Sequence, residues 1–567
     1  MKNLISLLAC IIVSVTLIQT RYTYSYFDKS YPMMLTNWDG LGYYMYLPSG
    51  FIYDDYTELN WLPEIDEKYH VHEGNLYQAH KAENGNYVNK YLGGVSLLQA
   101  PLFGIAHVIA LNSDYSADGF SPPYQYTLAY GALFYTLLAL FLLRHILLRY
   151  YDDLTVGITL ILLFIASNLV QYTAVDAGLS HVYIFPLYVL ILYATIKWHE
   201  KPTYFWAAAI GLIIGLATIC RPTEAIMLFI PLMWGTQSKE AKAEKWALVK
   251  AHRKHIYVTI AFGILGVLPQ LIYWKMTAGT FIHDVGSSWR FLTPFFRVLF
   301  GWEIGWFIYT PVTILFIVGF FFMKGKPFRR SVIIFCLLNI WIIISWADWK
   351  YGATYSTRAL TQSYPIFALP LAGFIQYILQ KKWKWLLIPV GAYLIFVNLF
   401  QIGQYNDGVL HRRDMNRLYY SRIYLNSNPT AVDMSLLDTD EVLDNETNYK
   451  RTLLHDSTEP KPINKEPFLS LDLNGKGDTW LKITAVIKAN SGFNTSYLAC
   501  KTTNGKKSKK NRIRLFNVYC TEGNSNLYEF YYHVPDSLQN GKADFFIESE
   551  FDFSGVLDQM KVVQLTN

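Results

Sequence analysis

Residues 124–147 read YQYTLAYGALFYTLLALFLLRHIL, and this stretch decides the class of protein. It is mostly apolar over the roughly 20 residues that a helix needs to cross a hydrocarbon core about 30 Å thick, and Arg144 and His145 lie near its end. Similar stretches are predicted to span at 4–18, 154–171, 181–197, 203–220, 223–235, 256–274, 304–323, 331–347, 359–379 and 385–402. The sequence therefore predicts an α-helical polytopic membrane protein with about 11 transmembrane helices.

The composition indicates a membrane part joined to a soluble part. The 567 residues are 52% hydrophobic, 17% aromatic and 16% charged, which is too apolar for an average soluble chain. The apolar stretches occupy the first ~400 residues, and the last ~165 contain none. This division excludes a cytosolic enzyme and a disordered chain. The net charge of +6 does not indicate a nucleic-acid partner, because membrane topology accounts for the basic residues.

The basic residues predict the orientation of the spans. If every predicted span crosses, the basic clusters lie on one side: Lys2, Arg144 with His145 and Arg149, 197–201, 239–255, 324–330 and 381–384. Cytoplasmic loops carry such an excess of Lys and Arg. The pattern places the N-terminus in the cytoplasm. Residues 4–18 could be a cleaved signal peptide, but an uncleaved first helix is favoured, because the apolar region before Cys10 is shorter than a signal core needs and the hydrophobic run continues to Ile18. Loop 21–123, the connections 172–180 and 275–303, and the tail after about residue 403 then lie outside.

The tail is predicted to be a small β-domain. Apolar and polar residues alternate over 481–488, and similar short runs recur up to residue 565, separated by Gly, Asn and Asp. We therefore expect an all-β sandwich over 467–567, after a linker at 426–466. Cys500 and Cys520 are the cysteines of the tail. They could form a disulfide in an exported domain and would stay reduced in the cytoplasm, and the sequence leaves both open.

The first outer loop carries an early carboxylate and a later lysine. Asp39 stands in the aromatic stretch Trp38-Asp-Gly-Leu-Gly-Tyr-Tyr44, where it could also serve as a turn residue or a helix N-cap. Lys90 precedes an apolar segment that contains Gly93, Gly94 and Pro101. We expect these residues to break the segment, which would then lie on the membrane or dip into it rather than span it.

This arrangement resembles the GT-C superfamily of polytopic glycosyltransferases, which includes the protein O-mannosyltransferases and the lipid A aminoarabinose transferases. Asp39 matches the family's proposed catalytic carboxylate. Tyr87-Val-Asn-Lys90 is similar to the Tyr-x-x-Lys element that contacts a polyprenyl-phosphate sugar, although Tyr91-Leu92 replaces the commoner Pro-Pro. The likeness continues through 299–311 and 346–365, where a Trp-rich stretch leads to Arg358 at the start of a span. It covers about residues 1–425, taken as the transmembrane glycosyltransferase domain.

The resemblance implies an inverting glycosyltransferase in a bacterial inner membrane. Its donor would be a polyprenyl-phosphate-linked sugar, its acceptor a glycan, lipid or protein on the outer face, and its β-domain periplasmic. Such a site must deprotonate an acceptor hydroxyl and stabilise a departing phosphate at headgroup depth. Asp39 is the predicted base, and Lys90, Arg221 and Arg358 are the predicted phosphate-binding cations. Arg221 could instead be an interface anchor that Glu224 neutralises.

Further candidate substrate-binding residues are Tyr87, Glu224, Asp176, His181, Asp348 and His411. Asp176 and His181 could line a site, but capping of a span is the favoured interpretation. Asp348 could form a surface pair with Lys350, and His411 is taken from a Gly-x-Leu-His element of bacterial relatives. The sequence shows no required cofactor. A divalent metal at Asp39 with His70, His72 and His80 stays open, although exposed loop histidines are favoured.

Two other classes of function compete with the transferase. A lipid or glycan transporter or flippase predicts internal repeats and charged or broken spans at the bilayer midplane, whereas here the polar residues gather at the predicted outer boundary and no repeat is found. A non-catalytic envelope assembly protein would use the β-domain as its binding module and would need neither Asp39 nor Lys90. The transferase is the favoured hypothesis.

Overall fold

A computed structural model describes residues 3–24, 34–517 and 519–567. Lys2, which contributes to the predicted orientation, lies outside these residues. The chain forms two compact units, Met1–Ile402 and Gly403–Asn567. The first unit therefore ends at residue 402, whereas the sequence predicts that the transmembrane domain ends at residue 425.

The first unit is helical and carries one small hairpin. Its α-helices are Leu4–Tyr24 (α1), Asp39–Tyr44 (α2), Tyr46–Phe51 (α3), Leu62–Tyr69 (α4), Gly94–Leu111 (α5), Pro122–Leu147 (α6), Asp153–Ile165 (α7), Ser180–Glu200 (α8), Tyr204–Cys220 (α9), Phe229–Met233 (α10), Lys239–Ala251 (α11), Arg253–Thr277 (α12), Arg297–Phe300 (α13), Trp306–Tyr309 (α14), Thr313–Val318 (α15), Arg329–Ser345 (α16), Tyr364–Leu379 (α17) and Leu387–Asn406 (α18), the last of which leads into the second unit. The hairpin pairs Ala79–Lys81 (β1) with Tyr87–Asn89 (β2). Single 3-10 segments such as Pro222–Leu228 and Arg358–Ser363 precede α10 and α17.

Six described helices are long and apolar enough to cross a membrane by length and composition: α1, α5, α6, α8, α12 and Lys384–Asn406. The chain is a multi-pass membrane protein. All of these except α5 coincide with predicted spans. The other predicted spans form shorter or divided helices, such as the 3-10 segment and α10 over 222–233, so the count of about 11 stays a prediction.

Helix α5 differs from its prediction. It runs unbroken from Gly94 to Leu111 with Pro101 inside it, because a proline removes a single backbone hydrogen bond and neighbouring packing can hold the helix together. Gly94 instead begins the helix. A Cβ at Gly94 would lie 2.4 Å from the backbone N of Cys220, so glycine permits α5 to contact the end of α9.

Helices α9 and α12 approach each other through glycines. A Cβ added at Gly211 would lie 2.0 Å from the Thr259 carbonyl oxygen, and one added at Gly215 would lie 2.3 Å from that of Gly263. Such small residues let helix backbones pack closely in a membrane. Gly266 completes the contact from the side of α12, where its Cβ would meet the Gly215 Cα at 3.0 Å.

We expect Gly215→Ala to lower the free energy of unfolding by about 1–3 kcal/mol, because the new methyl group collides with backbone that must shift. Gly104→Ala in α5 is the matched control, since a Cβ there has nothing within 4 Å among the described residues and alanine favours a helix. Thermal unfolding in mild detergent measures both. Equal melting temperatures for Gly215→Ala and wild type would show that α9 and α12 move apart to accommodate the methyl group without loss of stability.

The second unit is an antiparallel β-sandwich preceded by two short helices, Arg417–Ile423 (α19) and Ala431–Ser435 (α20). Its strands are Lys450–Ser457 (β3), Lys461–Ile463 (β4), Leu469–Asp472 (β5), Thr479–Ser491 (β6), Ser496–Asn504 (β7), Lys507–Arg514 (β8), Ser525–Val534 (β9), Lys542–Ser549 (β10) and Ser554–Thr566 (β11). One sheet has the order β5-β10-β7-β8, and the other has the order β3-β11-β6-β9 with β4 also on β11. Inward-facing residues of both sheets, such as Ile483 and Phe545, share one hydrophobic core.

The predicted linker at 426–466 is structured. Strands β3 and β4 both lie within it, and they pair with β11. Most side chains of β3 are exposed, so the segment lacks the apolar alternation by which a half-buried strand is recognised. Cys500 and Cys520 are both buried and are not joined by a disulfide.

Candidate active site

The carboxylate of Asp39 is held by three side chains. The hydroxyls of Tyr77 and Tyr91 donate to its Oδ1 at 2.8 and 2.6 Å. Nη2 of Arg358 donates to its Oδ2 at 2.7 Å and forms an ion pair with it across 319 residues of sequence. The side chains of Asp39 and Arg358 are 26% and 14% exposed, so the pair is largely buried but open on one side.

Local backbone features place Asp39 at the start of α2. The preceding residue, Trp38, has a φ of 47°, a left-handed conformation that costs a non-glycine residue about 1–3 kcal/mol. Its backbone is fixed on both sides, because its N–H donates to Val71 and its carbonyl accepts from Gln78. Gly42 then leaves room for the ring of Tyr91, which a Cβ would meet at 2.2 Å. These contacts bring the segment at Val71, α2 and the hairpin together at Asp39.

The hairpin supplies both tyrosines. Its register pairs Ala79 with Asn89, and continuing it by two residues sets Tyr77 opposite Tyr91. Successive side chains of a strand point to opposite faces, so Lys90 is expected on the face away from Tyr91. The Lys90 side chain is exposed and has no ion-pair or hydrogen-bond partner among the residues that the structure describes.

The ionised form of Asp39 is favoured. Burial alone would raise its pKa, but the Arg358 guanidinium and the hydrogen bonds from Tyr91 and Tyr77 outweigh it, so the pKa of Asp39 lies below its ordinary value. Burial and the neighbouring carboxylate raise the pKa of both tyrosines. The phenols therefore stay protonated and donate at neutral pH.

A buried polar chain lies beside this cluster. Nε2 of Gln362 donates to Glu224 at 2.6 Å, and Tyr188 donates to the other carboxylate oxygen. Because the amide nitrogen faces Glu224, the amide oxygen of Gln362 faces Nδ1 of His181, with which it is hydrogen-bonded. The His181 Nδ1 must therefore carry the proton, which leaves Nε2 as an acceptor in the neutral ring.

Arg221 is a second, half-buried cation of this region. It directly follows α9 and is half-buried, and its side chain has no hydrogen-bond or ion-pair partner among the described residues. The charges of Arg221, Arg358 and Asp39 all act on the His181 ring, which places His181 near all three. Glu224 also lies within reach of the Arg221 charge.

Lys90 lies beside a pair of histidines instead. Nε2 of His80 is 3.0 Å from Nε2 of His283, and the two rings are stacked. Burial, His283 and the Lys90 ammonium lower the pKa of His80. The hairpin therefore sets Lys90 beside His80, and the next residue, Tyr91, contacts Asp39.

The remaining predicted residues are dispersed. Tyr87 lies under the Lys81 ammonium, and Asp348 is exposed. Asp176 accepts from the Gln171 side chain and does not cap α8, because the helix begins at Ser180 with Leu179 at the N-cap. The capping interpretation is therefore wrong for Asp176, since three residues of turn separate it from the helix.

His411 belongs to the second unit. Its Nε2 is 2.9 Å from Nη1 of Arg514. Burial and the charge of Arg514 lower the pKa of His411 to about 4.

The histidines proposed as metal ligands do not gather at Asp39. His70 is exposed, His72 pairs with Asp66 at 3.3 Å, and His80 pairs with His283. Within residues 3–24, 34–517 and 519–567, no three His, Cys, Asp or Glu side chains are grouped closely enough to hold a metal ion.

Sequence reasoning missed Tyr77, Tyr91 and Gln362. Tyr77 and Tyr91 flank a short two-stranded hairpin, and the alternation of side chains in that hairpin was the signal that could have paired them. Gln362 had no such signal, because its place between His181 and Glu224 depends on the packing of α8 against the segment before α17.

With Asp39 as the predicted base of sugar transfer, we expect Tyr91→Phe to lower kcat/KM of that transfer about tenfold. The substitution removes a hydrogen bond to a charged group that is largely buried. The same loss raises the pKa of Asp39, so the acid limb of the pH profile should move to higher pH. Tyr115→Phe is the control, since the Tyr115 side chain is exposed in the same loop. A drop in rate with an unmoved acid limb would mean that Tyr91 acts only through packing.

No protein-family model matches the chain, and no curated protein matches it. Solved structures to which the chain is similar include the apo oligosaccharyltransferase of Archaeoglobus fulgidus, at 10% identity and a TM-score of 0.42, over 75% of this chain and 58% of that one. The same enzyme in complex with zinc and sulfate matches at 12% identity and 0.42, over 73% and 54%. The arabinosyltransferase EmbB of Mycobacterium smegmatis matches at 10% and 0.40, over 97% and 64%.

The chain spans between about half and two thirds of the length of these structures. Two of these structures are of an oligosaccharyltransferase, and the third is of an arabinosyltransferase. The chain itself is a multi-pass membrane protein with a carboxylate–arginine pair in its helical unit and a β-sandwich as its second unit.

Proposed function

We propose that this protein is an inverting membrane glycosyltransferase that moves a sugar from a polyprenyl-phosphate donor to an acceptor hydroxyl on the outer face of a bacterial inner membrane. The observation that carries the proposal is the largely buried Asp39–Arg358 pair. Arg221, which has no ion-pair partner among the described residues, adds a second cation whose charge acts on His181 together with that of Arg358. One anion and a spare cation together suit the removal of a proton and the stabilisation of a departing phosphate.

The reaction is a single displacement at the sugar. The acceptor oxygen forms a bond to C1 while the bond from C1 to the phosphate oxygen breaks, and the electron pair leaves with polyprenyl phosphate. Asp39 takes the proton of the acceptor hydroxyl. One displacement inverts the configuration at C1. No metal or other group is required to balance this step, and a divalent metal stays a possible addition to the proposal.

A carboxylate with a lowered pKa can still serve as the base. The acceptor hydroxyl becomes acidic only as its bond to an oxocarbenium-like C1 forms, so a base that is always ionised at neutral pH is suited to a late proton transfer. Arg358 has five donors, of which one contacts Asp39. A donor phosphate could therefore share the guanidinium, which would bring C1 to the carboxylate and draw positive charge away from it.

Arg221 and Lys90 complete the proposed phosphate site in different ways. The charges of Arg221 and Arg358 both act on His181, and the charge of Arg221 also acts on Glu224, with which Arg221 forms no ion pair. Lys90 is exposed on the hairpin that carries Tyr91. We propose that Arg221 contacts the phosphate directly and that Lys90 attracts the anionic donor at the entrance, as an exposed cation can do over about 10 Å. The neutral His181 would then accept a hydrogen bond from the sugar or the acceptor.

Mass spectrometry of the protein in mild detergent tests the donor site. Wild type and Asp39→Asn are expected to retain a polyprenyl-phosphate sugar that Arg358→Ala and Arg221→Ala lose, because only the arginines would hold the phosphate. Lys382→Ala is the matched control, since Lys382 is an exposed cation on the opposite, predicted cytoplasmic flank. Added polyprenyl phosphate should compete with the retained lipid in wild type.

The result separates the competing functions. If wild type retains the glycolipid but transfers no sugar to any hydroxyl acceptor supplied, and moves the lipid across vesicle membranes, the protein is a flippase. If neither wild type nor Asp39→Asn retains such a lipid when donors are supplied, the donor class is wrong and the non-catalytic assembly role becomes the better explanation.

A further inference from the structure

Residues 279–300 lie outside the long apolar helices and still expose several large apolar side chains. Ile282 is 80% exposed and Leu292 is 97% exposed. Further exposed members are Phe281, Phe291, Phe296 and Phe300. Monomeric proteins seldom present so many large apolar groups to water in one short segment, and such patches mark contact sites.

The segment lies at the end of two helices of the membrane unit. It begins just after α12, a candidate span that ends at Thr277 and whose own exposed apolar face includes Ile272 and Met276. It also pairs with the end of α16, because the N–H of Arg290 donates to Ser345 at 2.7 Å and that of Phe295 to Ile344 at 2.6 Å. Its exposed side chains therefore continue a lipid-facing surface at the depth where these helices end.

The charge of the segment matches an anionic lipid surface. Residues 275–303 contain Lys275, Arg290 and Arg297 against two carboxylates, Asp284 and Glu303, which leaves a net charge of +1. Arg297 is 57% exposed and lies 3.7 Å from Glu303, so this arginine is partly neutralised, whereas Arg290 has no ion-pair partner among the described residues. The guanidinium of Arg290 lies over Phe295 at 5.5 Å, and that of Arg297 lies over Trp349 at 4.9 Å. Aromatic rings with basic residues beside them are typical of the boundary between headgroups and acyl chains.

We propose that residues 279–300 form a membrane-interface anchor. The exposed side chains of Ile282, Phe291 and Leu292 enter the boundary between headgroups and acyl chains, and Arg290 and Arg297 contact the phosphates of anionic lipids. The occupant of this surface is the lipid bilayer itself. Each inserted apolar group gains from burial, and each nearby cation gains from the negative potential of the leaflet.

The anchor also bears on the candidate active site, a consequence that rests on the proposed function. The Thr357 hydroxyl lies 2.7 Å from the Val298 carbonyl oxygen, which it can donate to, and 3.0 Å from that of Ile304. Thr357 is fully buried and precedes Arg358. The depth of the anchor in the leaflet therefore sets the depth of Arg358, which has to meet a phosphate at headgroup level.

A depth probe tests the anchor without any assay of transfer. Leu292→Cys is labelled with an environment-sensitive fluorophore in nanodiscs that contain anionic phosphatidylglycerol. The five native cysteines are buried, so we expect the fluorophore to label them little. Labelling of the wild-type protein checks this background. Glu83→Cys, at the exposed tip of the hairpin, is the matched control. We expect the label at residue 292 to emit further to the blue and to be quenched several-fold more by headgroup-level spin-labelled lipid.

Three results would overturn the anchor or its lipid specificity. Equal, water-like emission from both labels would show that the segment stays in solvent. A blue-shifted label that spin-labelled lipid does not quench would assign the surface to a protein partner or a second copy. Unchanged quenching in an Arg290→Ala/Arg297→Ala background would remove the lipid-phosphate contact. Because quenching needs no sugar donor, it stands or falls separately from the transferase proposal.

Discussion

Asp39→Asn is expected to lower kcat of sugar transfer by about 10³-fold, within the range for loss of a general base. The amide keeps the size of the side chain and can still accept from Tyr77 and Tyr91, but it cannot take a proton from the acceptor. Donor binding should survive, because the arginines hold the phosphate. Steady-state transfer to a hydroxyl acceptor, together with retention of the donor by mass spectrometry, measures both effects.

Asp114→Asn is the matched control for Asp39→Asn. Asp114 is an exposed carboxylate of the same loop, so its removal should leave kcat within about twofold of wild type, as for surface substitutions in general. Asp39→Asn with nearly full activity would remove the base from the mechanism. The Asp39–Arg358 pair would then be a structural ion pair.

Arg358→Gln is expected to lower kcat/KM by about 10²-fold or more, because it removes one partner of a largely buried charge pair and a contact to the donor phosphate. It should also move the acid limb of the pH profile. The pKa of Asp39 is held below its ordinary value by the Arg358 guanidinium and two tyrosine hydrogen bonds. Removal of the cation raises that pKa, so activity that needs the ionised carboxylate is lost at a higher pH than in wild type.

Arg358→Lys distinguishes charge from geometry. Lysine keeps the positive charge near Asp39 but cannot bridge a carboxylate and a phosphate with the planar fork of arginine. We therefore expect the acid limb of Arg358→Lys to return most of the way to its wild-type position while kcat/KM stays reduced. A lysine variant with wild-type kcat/KM would contradict the bridging role, and a Gln variant with an unmoved acid limb would contradict the electrostatic one.

The sequence prediction names two residues that the structure brings together, Asp39 and Arg358, but not their arrangement. Asp39, Arg221 and Arg358 were identified from their positions next to predicted spans and from a family resemblance. Their order in the chain did not indicate that Asp39 and Arg358 form an ion pair, since 319 residues separate them. It also did not indicate that Lys90 lies beside His80, because that contact depends on which face of a two-stranded hairpin the lysine occupies.

The predicted linker is a second example, in the fold, of a feature that the sequence pattern could not identify. The strands of the sandwich core were recognised because one face of each is buried, which imposes a period of two on the sequence. Strand β3 is an edge strand of its sheet, and most of its side chains are exposed. Its position is decided by backbone pairing with β11. Hydrogen bonds of the backbone leave no pattern in side-chain type, so this strand was taken for linker.

The sequence by itself determined that the first unit is a bundle of apolar helices and that the second is a β-sandwich, because the length and period of apolar residues report local burial along a single element. Only the tertiary structure decided that Tyr77, Tyr91 and Arg358 converge on Asp39. The reason is physical: a contact between distant residues depends on how helices and loops pack, and hydrophobic periodicity describes each element without stating its neighbours.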